Sequence, residues 1–423
     1  MKYKSTTGNR SLISFREAVL ANLPSDGGLF FPEKIPPLEQ EFLDAIPSLE
    51  LAHIAEQVLA LFCGDDINKV KIAEITSRVF NFPIPIKEVT SGICCLELFH
   101  GPTFAFKDIG AMFLAECLAH FNMSDNKETT VLVATSGDTG GAVANGFLGV
   151  EGVKVVILYP KGKVSKLQEK QLTTLGQNIT ALEIEGNFDD CQNLVKQAFG
   201  DRELNHKLQL SSANSINIAR WLPQSLFYYI PIQQGMKDIM ISVPSGNYGN
   251  LTSGILAMKM GVSIVQFIAA SNANDVVPRY LVSGDYQPEP TKPTIANAMD
   301  VSDPSNFKRL LALFGNSHEE ITKKLTPFSL ADERIKDTVK QCYTKNNYLL
   351  DPHSAIAYEG LKQSRREGIF LGTAHYCKFL PTMNEALNIQ LATPDFAADL
   401  LKKETHSIKM EANYREFKEL LVG

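Results

Sequence analysis

The sequence has no paired cysteines, no basic excess, no long apolar run and no repeat. Its seven cysteines, Cys63, Cys94, Cys95, Cys117, Cys191, Cys342 and Cys377, are odd in number and show no C-x-x-C spacing. No disulfide framework or zinc site can be read from them, and their scatter fits reduced thiols in a cytoplasmic protein. The formal net charge is −6, so no global field attracts nucleic acid or an anionic membrane. An anionic ligand must therefore be held by local groups. No stretch approaches the roughly 20 apolar residues of a membrane span. The opening "MKYKSTTGNRSL" has basic residues with no apolar run behind them, unlike a signal peptide. The absence of a low-complexity tract or fixed period leaves out fibrous and solenoid architectures.

What is present is an ordinary globular composition, 44% hydrophobic and 21% charged, in 423 residues, enough for two or three domains. Ser14 and Glu17 predict a capping box ahead of "FREAVLANL", with Pro24, Gly27 and Gly28 ending that helix. Residues 41–80 keep helical spacing. From residue 129 the texture changes, and apolar runs alternate with helical segments. Runs 129–134, 153–160, 179–186, 239–243 and 262–271 read as buried strands, with a last candidate in 369–379. Residues 280–350 read as loops and surface helices. The alternation predicts parallel sheets covered on both faces, in two α/β units with a cleft between them.

Two glycine-rich turns, "ATSGDTGGA" (134–142) and "PSGNYGN" (244–250), each follow a predicted strand and lead into a helix. Free N–H groups and the helix dipole make such a turn an anion site at the carboxyl end of a sheet. Neither is a P-loop or a dinucleotide fingerprint. Glycines that merely serve the strand-to-helix turn are an equal alternative for either turn alone. Lys107, in "FHGPTFAFKDIG", sits among Phe104, Ala105, Phe106 and Ile109. Desolvation there would lower its pKa and suit it to Schiff-base chemistry. A stem packed on aromatics with its head in water is the other explanation.

The order Lys107 in "GPTFAFKD", then "TSGDTGG", then "PSGNYGN" resembles pyridoxal-phosphate enzymes of the tryptophan-synthase β type. With "SDGGLFFP" (25–32), "NSINIARWLPQ" (214–224), "DPHSAIAYEG" (351–360) and "GTAHYCKF" (372–379), the chain resembles the bacterial and fungal threonine synthase family nearly end to end. That resemblance implies a fold type II enzyme, with two doubly wound α/β domains and the cofactor in the cleft between them. The expected division is an N-terminal helical segment over 1–90, a small α/β domain over 91–205 and a large one over 206–423. Lys107 would carry pyridoxal 5′-phosphate as a Schiff base. Gly246, Asn247, Tyr248 and Asn250 would cradle its phosphate. Thr373 would hydrogen-bond the pyridine nitrogen, a weaker electron-sink arrangement than a carboxylate partner. Ser136, Gly137, Asp138 and Thr139 would receive the amino-acid carboxylate. Asn214, Ser215 and Arg220 would hold the substrate phosphate, a task suited to the planar guanidinium fork. Many relatives of the wider fold type have asparagine where Asp138 stands. An ionised aspartate cannot donate to the cofactor's phenolic oxygen, which leaves its contact open.

The activity so implied converts O-phospho-L-homoserine and water to L-threonine and phosphate, with Lys107 as the mobile base. The partner is that small molecule, with no nucleic acid, membrane or metal, in a monomer or homodimer. The plant-type N-terminal regulatory region has no counterpart, so activation by S-adenosylmethionine is not expected. Two alternatives remain. A threonine or serine dehydratase would have no use for "NSINIAR". A non-catalytic binding protein would have no use for Lys107. Simpler roles also compete at single positions. Arg220 could pair with the Trp221 ring or a surface carboxylate, Asp108 could cap a helix, and His100 and His375 read as structural. Asp351, Pro352 and Ser354 carry a helix-start signature.

Overall fold

The computed structural model describes residues 1–8, 11–125 and 128–422. The strands, in chain order, are β1 (Tyr3–Ser5), β2 (Phe30–Pro32), β3 (Ile86–Thr90), β4 (Ile93–Glu97), β5 (Thr129–Ala134), β6 (Val153–Pro160), β7 (Ile179–Glu185), β8 (Gln209–Ser212), β9 (Ile239–Pro244), β10 (Ile264–Ser271), β11 (Leu325–Ser329), β12 (Gly368–Gly372) and β13 (Ile408–Glu411). They form a two-stranded pair β1-β2, a six-stranded sheet in the order β11-β10-β9-β12-β4-β3, and a five-stranded sheet in the order β13-β7-β6-β5-β8. Every pairing in the two large sheets is parallel except β3 with β4.

The apolar runs explain this layout. β5, β9 and β12 are buried at every position, as strands covered on both faces must be. Each fully buried Val, Ile or Leu there contributes roughly 1.5–3 kcal/mol through removal from water. Helices between the strands supply the cover. The predicted capping box is present, with Ser14 accepting from the Glu17 N–H and Glu17 accepting from the Ser14 N–H. Asp351 caps the helix Pro352–Ser364, with Pro352 in its first turn.

The division of the sheets differs from the expected boundaries. β3 lies within the segment expected to be helical, and β4 belongs to the six-stranded sheet, where Cys95 faces Phe370 of β12. β8 and β13 belong to the five-stranded sheet although they follow residue 205. The physical reason is register. Strands of four or five residues carry little periodic signal, and only the parallel neighbour that satisfies their backbone groups fixes where they lie. The candidate strand in 369–379 ends at Gly372. A 3₁₀ turn, Tyr376–Phe379, follows it, with the His375 side chain accepting from the Cys377 N–H. Within 280–350, expected as loops and helices, β11 adds an edge strand beside β10.

Candidate active site

Strand order brings the site together. β9, β12 and β4 are neighbours, so the segments leaving their carboxyl ends are neighbours too. These are the 245–250 turn, Thr373 and the segment that runs to Lys107. The Phe106 N–H donates to the Thr373 carbonyl at 2.9 Å, and Ala105 forms an antiparallel bridge with Ala374. β5 and β8 are likewise neighbours in the other sheet, and they release the 136–139 turn and the 214–220 segment side by side.

Lys107 is the first residue of the helix Lys107–Asp125 and is half-buried. Among the described residues, none pairs with its Nζ, which lies 6.0 Å from the centre of the Phe106 ring. Burial lowers its pKa from the ordinary lysine value. Arg220 and Lys378 add to that shift, and Asp138 opposes it. The approach to Lys107 is strained, because Phe104 holds a left-handed φ of 60°. Its neighbour Asp108 is 2% exposed and accepts from the Thr103 N–H at 2.9 Å and from the Thr103 hydroxyl. Burial raises the Asp108 carboxyl to about 6, against those two hydrogen bonds. Asp108 thus fixes the turn before the helix from within the helix's first turn, and is not its cap.

The 245–250 turn fits a phosphate. Tyr248 caps the helix Gly249–Lys259 in a left-handed conformation (φ 60°), which turns the first helical N–H groups outward. The Tyr248 hydroxyl is held 2.6 Å from the Ser271 Oγ. A Cβ at Gly246 would meet the Met299 backbone at 2.5 Å, so only glycine allows this close approach. Tyr228 donates to Asn250 Oδ1 at 2.6 Å, while Asn250 Nδ2 is buried with no partner among the described residues. A buried amide donor left open at a helix N-terminus suits an anionic ligand. The residues therefore fit pyridoxal phosphate: an anion cradle, an unpaired lysine of lowered pKa and a buried threonine, all on segments that leave the carboxyl ends of three adjacent strands.

The facing sheet supplies a second glycine turn at a helix N-terminus. Gly137 (φ 138°) caps the helix Asp138–Gly146, and a Cβ there would meet the Gln168 side chain. The Thr135 hydroxyl accepts from the Gly137 and Gly140 N–H groups and fixes the turn. Ser136 is exposed and Thr139 half-buried, so both are open to a ligand. Asn214 and Ser215 are half-buried as well. Asn247 Nδ2 donates to Ser215 Oγ at 2.7 Å, joining the two turns across the seam between the sheets.

Arg220 is 3% exposed. Its Nη1 donates to the Ala213 carbonyl, and its Nε is buried with no partner among the described residues. It lies against the helix of Lys107, since a Cβ at Gly110 would stand 3.2 Å from Arg220 Nε. Burial lowers the guanidinium to about 10. The two simpler roles are excluded. Arg220 is not on the surface, and the cation over the Trp221 ring is Arg309, at 4.6 Å.

Several site-forming residues escape a reading of the sequence. Lys378 is fully buried and pairs with Asp138 at 3.0 Å. Gln168 donates to the same carboxylate at 2.9 Å. Arg309 is also fully buried and donates to the carbonyls of Phe30, Ser215 and Ile216. The signal available for Lys378 was the one that singled out Lys107: a lone lysine in apolar company, here between Cys377 and Phe379. His375 and His100, expected to be structural, both have internal partners. Burial lowers His375 to about 4, helped by His100, whose ring nitrogen lies 2.7 Å from Glu97. A cavity of about 610 Å³ between Gly149–Val156 and Leu420–Val422 touches none of these residues. No group of three metal-ligating side chains is found among the described residues, and no helix among them is long and apolar enough to cross a membrane.

Three family models match the chain: "Threonine synthase N terminus" over residues 2–80, "Pyridoxal-phosphate dependent enzyme" over 82–375 and "Threonine synthase, C-terminal" over 354–421. The threonine synthase of Serratia marcescens is 42% identical over 430 aligned positions, covering 100% of this chain and 99% of that protein. The crystal structure of threonine synthase from Escherichia coli superposes with a TM-score of 0.91 at 41% identity, covering 100% of this chain and 99% of that one. A pyridoxal-phosphate-bound threonine synthase from Brucella melitensis gives a TM-score of 0.95 at 32% identity, with the same coverage.

Proposed function

The chain belongs to the threonine synthase family of pyridoxal-phosphate-dependent enzymes, and from that premise we propose that it converts O-phospho-L-homoserine and water to L-threonine and phosphate. One observation carries the choice of a phosphorylated substrate. Arg220 is a buried guanidinium beside the Lys107 helix, with a free Nε and no carboxylate partner among the described residues. A buried charge left unpaired is costly unless a ligand completes it. A dehydratase acting on threonine or serine brings no such anion.

Pyridoxal phosphate, when bound, supplies the electron sink that makes the substrate's α-proton acidic. The chain's own residues then have distinct tasks. Gly246, Asn247, Tyr248 and Asn250 hold the cofactor's phosphate, and the Thr373 hydroxyl meets its ring nitrogen. The 136–139 turn presents backbone N–H groups to the substrate carboxylate. Asn214, Ser215 and Arg220 hold the substrate phosphate and stabilise its charge as it leaves Cγ with the bonding electrons. Lys107 Nζ, its pKa lowered by burial, takes the proton from Cα and passes it to the substrate phosphate, then takes one from Cβ as phosphate leaves. It gives that proton to Cγ, takes one from the water that adds at Cβ and returns it to Cα. A flexible side chain can serve adjacent carbons in turn. The protein works in the cytoplasm, as its reduced thiols suggest.

The test is turnover with O-phospho-L-homoserine set against L-threonine and L-serine, with phosphate and ketoacid measured separately. Phosphate release with threonine formation is expected. Ketoacid production from threonine or serine as the main activity, with no phosphate release, would overturn the assignment.

A further inference from the structure

The charges around Lys107 raise a question that the reaction alone does not answer. Asp138 heads the helix Asp138–Gly146 and faces Lys107, yet it pairs with Lys378. A carboxylate facing an unpaired ammonium should capture it, since an ion pair in a poorly solvated site is far stronger than one in water. Captured in that way, Lys107 would stay protonated and could act neither as a nucleophile nor as a base.

Lys378 holds that carboxylate instead. It lies in the 3₁₀ turn Tyr376–Phe379, a few residues beyond Thr373, and its side chain is fully buried. Nζ has three fixed acceptors: Asp138 Oδ1 at 3.0 Å, the Thr103 carbonyl at 2.7 Å and Gln171 Oε1 at 2.9 Å. They fill the three N–H directions of an ammonium. Gln171 also donates to the Thr103 carbonyl at 3.0 Å, and Gln168 donates to Asp138 from one turn earlier on the same helix. Every member of this buried network has its partners, which a persistent ion pair requires.

We propose that Lys378 is a positioning residue for Lys107: by binding Asp138 it keeps that carboxylate from pairing with the Lys107 amine. The proposal rests on the reading that Lys107 holds the cofactor.

The surrounding charges agree. Lys107 is faced by Asp138, Arg220 and Lys378, and Asp138 is faced by Lys378 and Lys107. Burial alone would push the Asp138 carboxyl up, but Lys378 first and Lys107 second hold it well below the usual carboxylate range. Asp108 feels both members of the pair, and burial pushes the neighbouring Cys377 thiol up to about 12, so it adds no charge near neutral pH.

The experiment follows the pH midpoint of the bound cofactor's absorbance change in the full-length holoenzyme, with thermal unfolding as a check on folding. In Lys378→Met the pair carries one net negative charge. The midpoint should rise by about one pH unit, the usual effect of a nearby charge. In the double variant Lys378→Met/Asp138→Asn the pair is neutral again, and the midpoint should return close to that of the parent. A residue that only packs the core would not give this recovery. An unmoved midpoint in Lys378→Met, or a double variant that stays with it, would overturn the proposal. If Lys378→Met does not fold, Asp138→Asn decides alone. Lys378 keeps its other two acceptors there, so the midpoint should fall, and a midpoint that holds or rises sinks the idea. Cofactor absorbance that survives Lys107→Ala would overturn the assignment of Lys107 itself, which is a separate failure.

Discussion

Asn247 Nδ2 stands 2.7 Å from Ser215 Oγ, so the turn after β9 and the turn after β8 share a hydrogen bond although they belong to different sheets. Asn247 Oδ1 accepts from the Ser305 N–H at 2.7 Å, and Arg309 donates to the Ser215 carbonyl at 3.1 Å. The proposed cofactor-phosphate turn and the proposed substrate-phosphate turn are therefore parts of one network. Occupancy of one should order the other.

Asn247→Ala tests that network. It removes two hydrogen bonds, each contributing about 1 kcal/mol net. Cofactor affinity should fall by roughly tenfold, and the KM for O-phospho-L-homoserine should rise with it. A double-mutant cycle with Ser215→Ala, read by cofactor fluorescence, should show that the two effects are not additive.

Lys107→Ala should abolish the cofactor's visible absorbance and reduce turnover by at least about 10³-fold, the usual scale for loss of a proton-transfer group. Borohydride reduction of the parent followed by peptide mapping should recover the cofactor on the peptide containing Lys107. Recovery on another lysine would refute the assignment.

Arg220→Met separates function from stability. Loss of a charge-assisted phosphate contact should lower kcat/KM for the phosphorylated substrate by about 10- to 100-fold. The apoprotein should unfold at nearly the same temperature, because the buried cation has no carboxylate at ion-pair distance and is favoured only by the more distant charge of Asp108. A large fall in the unfolding temperature would mean that Arg220 is chiefly structural.

Asp108 should leave a mark on stability against pH. Burial raises its carboxyl from 3.8 to about 6, so between those values the folded chain keeps a proton that the unfolded chain releases. Stability from this group therefore declines as pH rises from about 4 to 6, by an amount on the order of 3 kcal/mol, and stays reduced above that. His375 runs the other way. Its pKa is lowered from 6.5 to about 4, so the unfolded chain takes up the proton first and stability falls as pH drops through the same window. The parent's curve contains both effects. The difference in unfolding temperature between Asp108→Asn and the parent, measured from pH 4 to 7, should isolate the decline due to Asp108.

Much of the architecture was legible in the chain because long buried strands are written as unbroken apolar runs. β5, β6, β7, β9 and β10 lie within a residue or two of the predicted spans. The glycine turns were equally legible, since Gly137 and Gly246 stand where a Cβ would collide. Lys107 stood out as a cation in apolar company. By contrast β8, β11 and β13 have four or five residues each, too few for periodicity to mark, and they exist because a longer strand next to them needs partners.

The sequence by itself determined the kinds of group available: an amine placed among aromatics, two glycine turns able to hold anions, and the family to which their order belongs. Only the tertiary structure decided which groups meet. The parallel order β9-β12-β4 set the segment that ends at Lys107 beside Thr373 and brought both to the end of the sheet from which the 245–250 turn leaves, and the packing of one sheet against the other gave Asp138 to Lys378. Those pairings join residues more than a hundred positions apart. The energy that selects them comes from shared desolvation and complementary hydrogen bonds, which no local stretch of chain contains.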